Sequence, residues 1–112
     1  MNGIQQSGPH PSIEFGIEKP PIPGSDGQLE VAGKVYRGPM PVGRIFIEAY
    51  DVRKWVDRPN EVLGKSKVHL QVKSIRAYGR DLDEIHEGMT CTLVLAGLGD
   101  SLHQGSVLVG EP

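Results

Sequence analysis

The stretch Glu87-Gly88-Met89-Thr90-Cys91-Thr92-Leu93-Val94-Leu95-Ala96-Gly97, followed by Gly105-Ser106-Val107-Leu108, decides the fold. Cys91, Leu93 and Leu95 alternate with Thr92 and Val94, the period of two that marks a half-buried strand. Glycine opens and closes the run. A short irregular loop follows, and a second strand begins at Ser106. These features predict strands at about Thr90–Ala96 and Ser106–Val109, joined by turns in which glycine supplies positive φ.

The same grammar extends upstream. Ile13, Phe15 and Ile17 alternate within Ser12–Glu18. Lys19-Pro20-Pro21-Ile22-Pro23-Gly24-Ser25-Asp26-Gly27 is turn chemistry, because proline removes a ladder donor. Leu29, Val31, Gly33 and Val35 are expected to point inward. Gly33 is expected where a barrel strand bends or approaches a neighbour closely. Arg37–Gly43 turns the chain. Arg44–Tyr50 carries apolar residues on both faces, with Ile45, Ile47 and Ala49 on one and Phe46 and Tyr50 on the other. Asp51–Lys65 is the least regular segment and reads as a long hairpin excursion or a lid. Val68, Leu70 and Val72 alternate, but Ile75 falls out of phase, which predicts a bulge near Lys73–Ser74. Leu82 and Ile85, three apart, suggest one helical turn before Gly88.

Fifteen glycines and nine prolines in 112 residues favour a turn-rich β architecture. The expected fold is all-β: one small, closed, six- or seven-stranded antiparallel barrel over residues 13–112, preceded by a flexible tail at residues 1–12. No apolar run approaches the ~18 residues that span a bilayer. The first residues lack the basic start and apolar centre of a signal peptide. Together with a lone cysteine, Cys91, this leads to the expectation of a cytoplasmic protein with no membrane contact.

The pieces Ile17-Glu18, Ile22-Pro23-Gly24, Val31-Ala32-Gly33-Lys34-Val35-Tyr36-Arg37-Gly38 and Val42-Gly43 come in a telling order. Val72-Lys73-Ser74-Ile75, an acidic loop ending at Gly88, Leu95-Ala96-Gly97 and Gly105-Ser106-Val107-Leu108 follow. In this order they resemble the second, β-barrel domain of translational GTPases of the elongation factor Tu type, over residues 13–112. The chain departs from that pattern at Arg44, where family members carry an acid, and in the longer 51–66 segment. The loop Leu98–Gln104 also lacks the basic residues common there. No Gly-x4-Gly-Lys-Ser/Thr loop is present to cradle phosphates, so nucleotide hydrolysis is not expected. In the family this barrel helps hold the aminoacyl end of tRNA and touches the ribosome. The resemblance therefore implies a contact with RNA or the ribosome, but fold alone does not fix function.

The formal net charge of −2 is unevenly spread. Residues 1–33 carry −3, residues 34–80 carry +7 and residues 81–112 carry −6. Either the three blocks interleave as neighbouring strands, or the central block forms a basic face. In the second case Lys34, Arg37, Arg44, Lys73 and Arg76 are the candidate RNA contacts, joined by Arg53 and Lys54.

Trp55, flanked by Arg53, Lys54 and Arg58, is the leading candidate for a partner surface, together with Phe46 and Tyr50. Tryptophan and arginine dominate interface hot spots. The same group can stack a base, or Trp55 can fold back to cap the barrel. The expected function is a non-enzymatic binding module acting through protein contacts, with RNA or ribosome contact as the alternative and a homodimer left open.

Catalytic motifs are present only in fragments. Gly99-Asp100-Ser101-Leu102 and Asp83-Glu84-Ile85-His86 spell the two motifs of GDSL esterases, but in reversed order and in β-turn surroundings. Nucleophilic catalysis needs the base within reach of the hydroxyl, in its own structural context. His10, His69, His86 and His103 share no metal-ligand spacing. No catalytic residue, metal site or cofactor is expected, and Cys91 reads as a small core residue.

Overall fold

The computed structural model describes residues 12–53, 61–99 and 102–111, with residues 52, 53 and 61–64 described by their backbone alone. The described residues form ten strands: β1 (Glu14–Ile17), β2 (Ile22–Pro23), β3 (Leu29–Arg37), β4 (Met40–Pro41), β5 (Ile45–Arg53), β6 (Glu61–Ala77), β7 (Arg80–Leu82), β8 (Glu84–Ile85), β9 (Thr90–Leu98) and β10 (Ser106–Gly110). Six of them run in the order β1-β10-β5-β6-β9-β3, and β3 pairs back to β1. Every pairing is antiparallel. This is a closed six-stranded antiparallel β-barrel, and closure leaves its principal strands without a free edge. The short β2 and β7 extend the sheet beside β3 and β6, while β4 and β8 form a separate two-stranded ribbon.

Alternation in sequence becomes alternation of burial. Ile13, Phe15 and Ile17, then Val31 and Val35, Leu70 and Val72, and Cys91, Leu93 and Leu95 fill the barrel. The register shift between Val72 and Ser74 restores phase, so that Ile75 also points inward. Burial in this apolar interior pushes the Cys91 thiol up to about 12, because a thiolate there would be desolvated.

The structure corrects two expectations. Gly79–Glu87 holds strands rather than a helical turn. Tyr78 (φ +55°) and Gly79 (φ +75°) form a two-residue type I′ turn. That turn folds β7 back on β6, with Ala77 opposite Arg80 and Ile75 opposite Leu82. Ile85 then pairs with Met40, and both are buried.

The second correction concerns β5. Phe46, expected on the outer face, is fully buried, whereas Ile47 is 37% exposed. Register shifts against β6 fall between Phe46 and Glu48 and between Ala49 and Asp51. An irregular residue reverses the in–out phase of a strand. Phe46 and Ala49, three apart, therefore both point inward. The apolar pattern on both faces is a phase change within one strand, and Phe46 is not a surface contact.

The described part of the expected 51–66 excursion extends β5 and β6, which pair as far as Arg53 and Glu61. Lys54, Trp55 and Arg58 lie outside the described residues, as does the tail of residues 1–11; for Arg53 only the backbone is described.

Candidate binding surfaces

Three surfaces and one polar clamp gather the chemically interesting side chains. The first is an open, mostly apolar recess of about 550 Å³ at one end of the barrel. Leu70 and Leu95 form its floor, and Leu29, Pro23 and Leu98 stand around it. Leu98 is 77% exposed and Ile22, beside Pro23, is 58% exposed. Gly97 (φ +136°) bends β9 at this rim, and a Cβ there would lie 1.8 Å from the His69 carbonyl oxygen.

The second surface is the outer face of β3, β9 and β6. Ala32 lies opposite Thr92, and Thr92 opposite Arg76; Lys34 lies opposite Thr90. A recess of about 500 Å³ opens here between Lys19, Arg76, Tyr78, Thr90 and Thr92. Arg76 Nε donates to Asp81 Oδ1 at 3.3 Å.

The third is the outer face of β1. A Cβ on Gly16 would meet the Tyr36 ring, so glycine at this position lets Tyr36 lie across the strand. Tyr36 remains 48% exposed. Arg37 Nη1 sits 3.6 Å from Glu14 Oε2. The phenol of Tyr50 is held above its ordinary range, first by partial burial and next by the neighbouring Glu14 carboxylate.

The candidate RNA residues therefore divide. Lys34 and Arg76 share one outer face. Arg37 stands with Tyr50 around β1. Arg44 donates through Nη2 to the Glu111 carbonyl, 2.5 Å away, and so ties down the last strand. Lys73 is exposed at the β6 bulge. Sequence reading missed Tyr36, Tyr78, Ile22 and Leu98. A tyrosine before glycine at a hairpin turn was the one signal that could have marked Tyr78.

The clamp joins the loop before β10 to β5. His103 Nε2 lies 3.1 and 3.2 Å from the two Asp51 carboxylate oxygens. His103 Nδ1 lies 2.9 Å from the Gln104 carbonyl oxygen. Ser106 Oγ donates to Asp51 Oδ1 at 3.2 Å and accepts from the His103 backbone N–H at 3.2 Å. Histidine, aspartate and serine meet here, with both Ser106 and His103 bonded to the Asp51 carboxylate. Ser106 is buried and bonds the carboxylate rather than the imidazole. Of the esterase-like motif, Asp100 and Ser101 lie outside the described residues. Among the described residues no group of three or more His, Cys, Asp or Glu is placed to hold a metal ion, and no helix is long and apolar enough to cross a membrane.

Both ring nitrogens of His103 face acceptors, which only the imidazolium satisfies by donating twice. Its pKa is raised, first by the Gln104 carbonyl; burial opposes the shift, and the Asp51 carboxylate adds to it. A raised folded-state pKa adds stability that is fully present below the unfolded value near 6.5 and is lost as pH rises through the folded value. The group is exposed, so the effect is small. His103→Gln is expected to lower Tm more at pH 5.5 than at pH 8, as read by parallel thermal melts. An equal loss at both pH values would show that the imidazolium does not strengthen the clamp.

Comparison of the chain with protein-family models, with curated proteins and with solved structures gave no match.

Proposed function

We propose that the barrel is a binding module that acts through protein contacts and docks an apolar segment of its partner in the recess at the Leu98 end. The observation that carries this reading is the strongly exposed Leu98 at the rim of an open recess floored by Leu70 and Leu95. An exposed apolar patch around a concave floor is a feature of interaction sites. The tyrosine face at Tyr36 and Tyr50, rimmed by Arg37, is a second contact region of the amphipathic aromatic kind that interfaces favour.

Leu98→Asp is expected to abolish capture of a defined protein from RNase-treated host lysate while leaving Tm within a few degrees. The side chain is already in solvent, so the fold loses little. An unchanged set of captured proteins would overturn the reading. Sedimentation of the purified chain separates a foreign partner from a second copy of the barrel.

Contact with RNA or the ribosome, in line with the translation-factor resemblance, is a second reading. Its support is the placement of Lys34 and Arg76 on one outer face beside exposed Tyr78.

A further inference from the structure

Tyr78 is both strongly exposed and held in the left-handed backbone region. It occupies the first central position of a type I′ turn at φ +55°, where asparagine, aspartate or glycine is at ease and a bulky side chain is strained. The strain is not offset by packing, because Tyr78 is 76% exposed. Tyr78 lines two recesses, one shared with Arg76, Lys19, Thr90 and Thr92 and the other with Arg80 and Met89. The lining of the first includes Ala32, Gly33, Ala77 and Gly79, residues small enough to admit a flat ring.

We propose that Tyr78 and the recess beside Arg76 bind a nucleotide unit, the base stacked on the tyrosine and the phosphate held by Arg76 and Lys19. The second reading above underlies this inference, which supplies its site. The lining has the mixed chemistry a nucleotide needs. Arg76 and Lys19 offer cations to a phosphate, the Thr90 and Thr92 hydroxyls donate or accept, and the Glu18 carboxylate accepts from a ribose hydroxyl or an exocyclic amine. Arg76 is positioned by its Nε contact with Asp81. A volume of about 500 Å³ suits one nucleotide. A free nucleotide and one residue of a single strand share this chemistry. The recess lies at the Lys34–Thr90 end of the β3–β9 ladder, away from Leu29 and Leu95, which floor or wall the apolar mouth.

The test uses the full chain with two probes, a fluorescein-labelled single-stranded oligoadenylate and AMP, at about 50 mM salt. Saturable oligoadenylate binding is expected for the wild type, weakened roughly tenfold or more by Tyr78→Asn and retained in Tyr78→Phe. Asparagine tolerates positive φ, so Tm of Tyr78→Asn should stay level or rise, which separates lost stacking from lost folding. Arg76→Gln should weaken binding and flatten its salt dependence. Binding of AMP alone, lost in Tyr78→Asn, supports the site and identifies a free nucleotide as its occupant. Salt-dependent oligoadenylate binding that Tyr78→Asn leaves unchanged overturns the Tyr78 site while the second reading stands. Absence of saturable binding to either probe overturns both.

Discussion

Gly33→Ala is expected to unfold the barrel or to leave it destabilised by about 3 kcal/mol or more. The reason lies where β3 closes the barrel against β1. A Cβ on Gly33 would stand 1.8 Å from the Gly16 carbonyl oxygen and 3.1 Å from the Ile17 Cα. Both obstacles are backbone, so no rotamer relieves them. β1 would have to lift away from β3, and the pairs Gly16↔Lys34 and Ile17↔Gly33 would open with it. A domain of this size has roughly 5–15 kcal/mol of total stability to lose from. Gly24→Ala is the control: its Cβ would meet nothing closer than 3.4 Å, and its φ of −104° suits any residue. Urea unfolding of both variants checks the prediction. A Gly33→Ala midpoint equal to that of Gly24→Ala would mean that β1 and β3 do not close as described.

The closing glycine shows why much of this fold was legible in the sequence. A barrel strand repeats every two residues, so Leu29, Val31, Gly33 and Val35 announce both an inward face and the one inward position that carries no side chain. The bulge after Val72 was legible for the same reason, because Ile75 breaks phase with Val68, Leu70 and Val72. Two features escaped. Leu82 and Ile85 have helical spacing, but each is inward on a different short strand, and a type I′ turn with tyrosine at its first position lies outside the usual turn vocabulary. On β5 the apolar residues occupy both faces, so periodicity alone could not locate the phase change.

The candidate surfaces were less legible, for a physical reason. A side chain that packs in the core leaves a periodic trace, whereas an exposed one leaves none. Ile22 sits in a proline-rich turn and Leu98 follows a glycine, so neither belongs to a pattern that marks it as exposed. The block of positive charge was visible, but its distribution depended on register. Lys34 and Arg76 come to one outer face because β9 lies between β3 and β6, whereas Arg44 is engaged with the Glu111 carbonyl. Arg53 ends β5, and Lys54, Trp55 and Arg58 lie outside the described residues.

Phe46→Ala is expected to cost about 3–5 kcal/mol, the second-largest effect of the set, whereas Ile47→Ala next to it should cost under about 1 kcal/mol. Phe46 is fully enclosed and belongs to the core cluster with Leu70, its partner across the β5–β6 ladder. Truncation would leave a cavity that the closed barrel cannot collapse to fill, because each wall strand is fixed on both sides. Ile47 faces outward, and much of its surface is already hydrated. Chemical denaturation with coincident fluorescence and circular dichroism probes measures both variants. The pair separates the two assignments of β5: if Phe46 were the outward residue, the order of the two losses would reverse. It also governs how partner-binding data are to be interpreted. Loss of capture by Phe46→Ala should track the unfolded fraction at each denaturant concentration, whereas loss by Leu98→Asp should occur in a fully folded barrel.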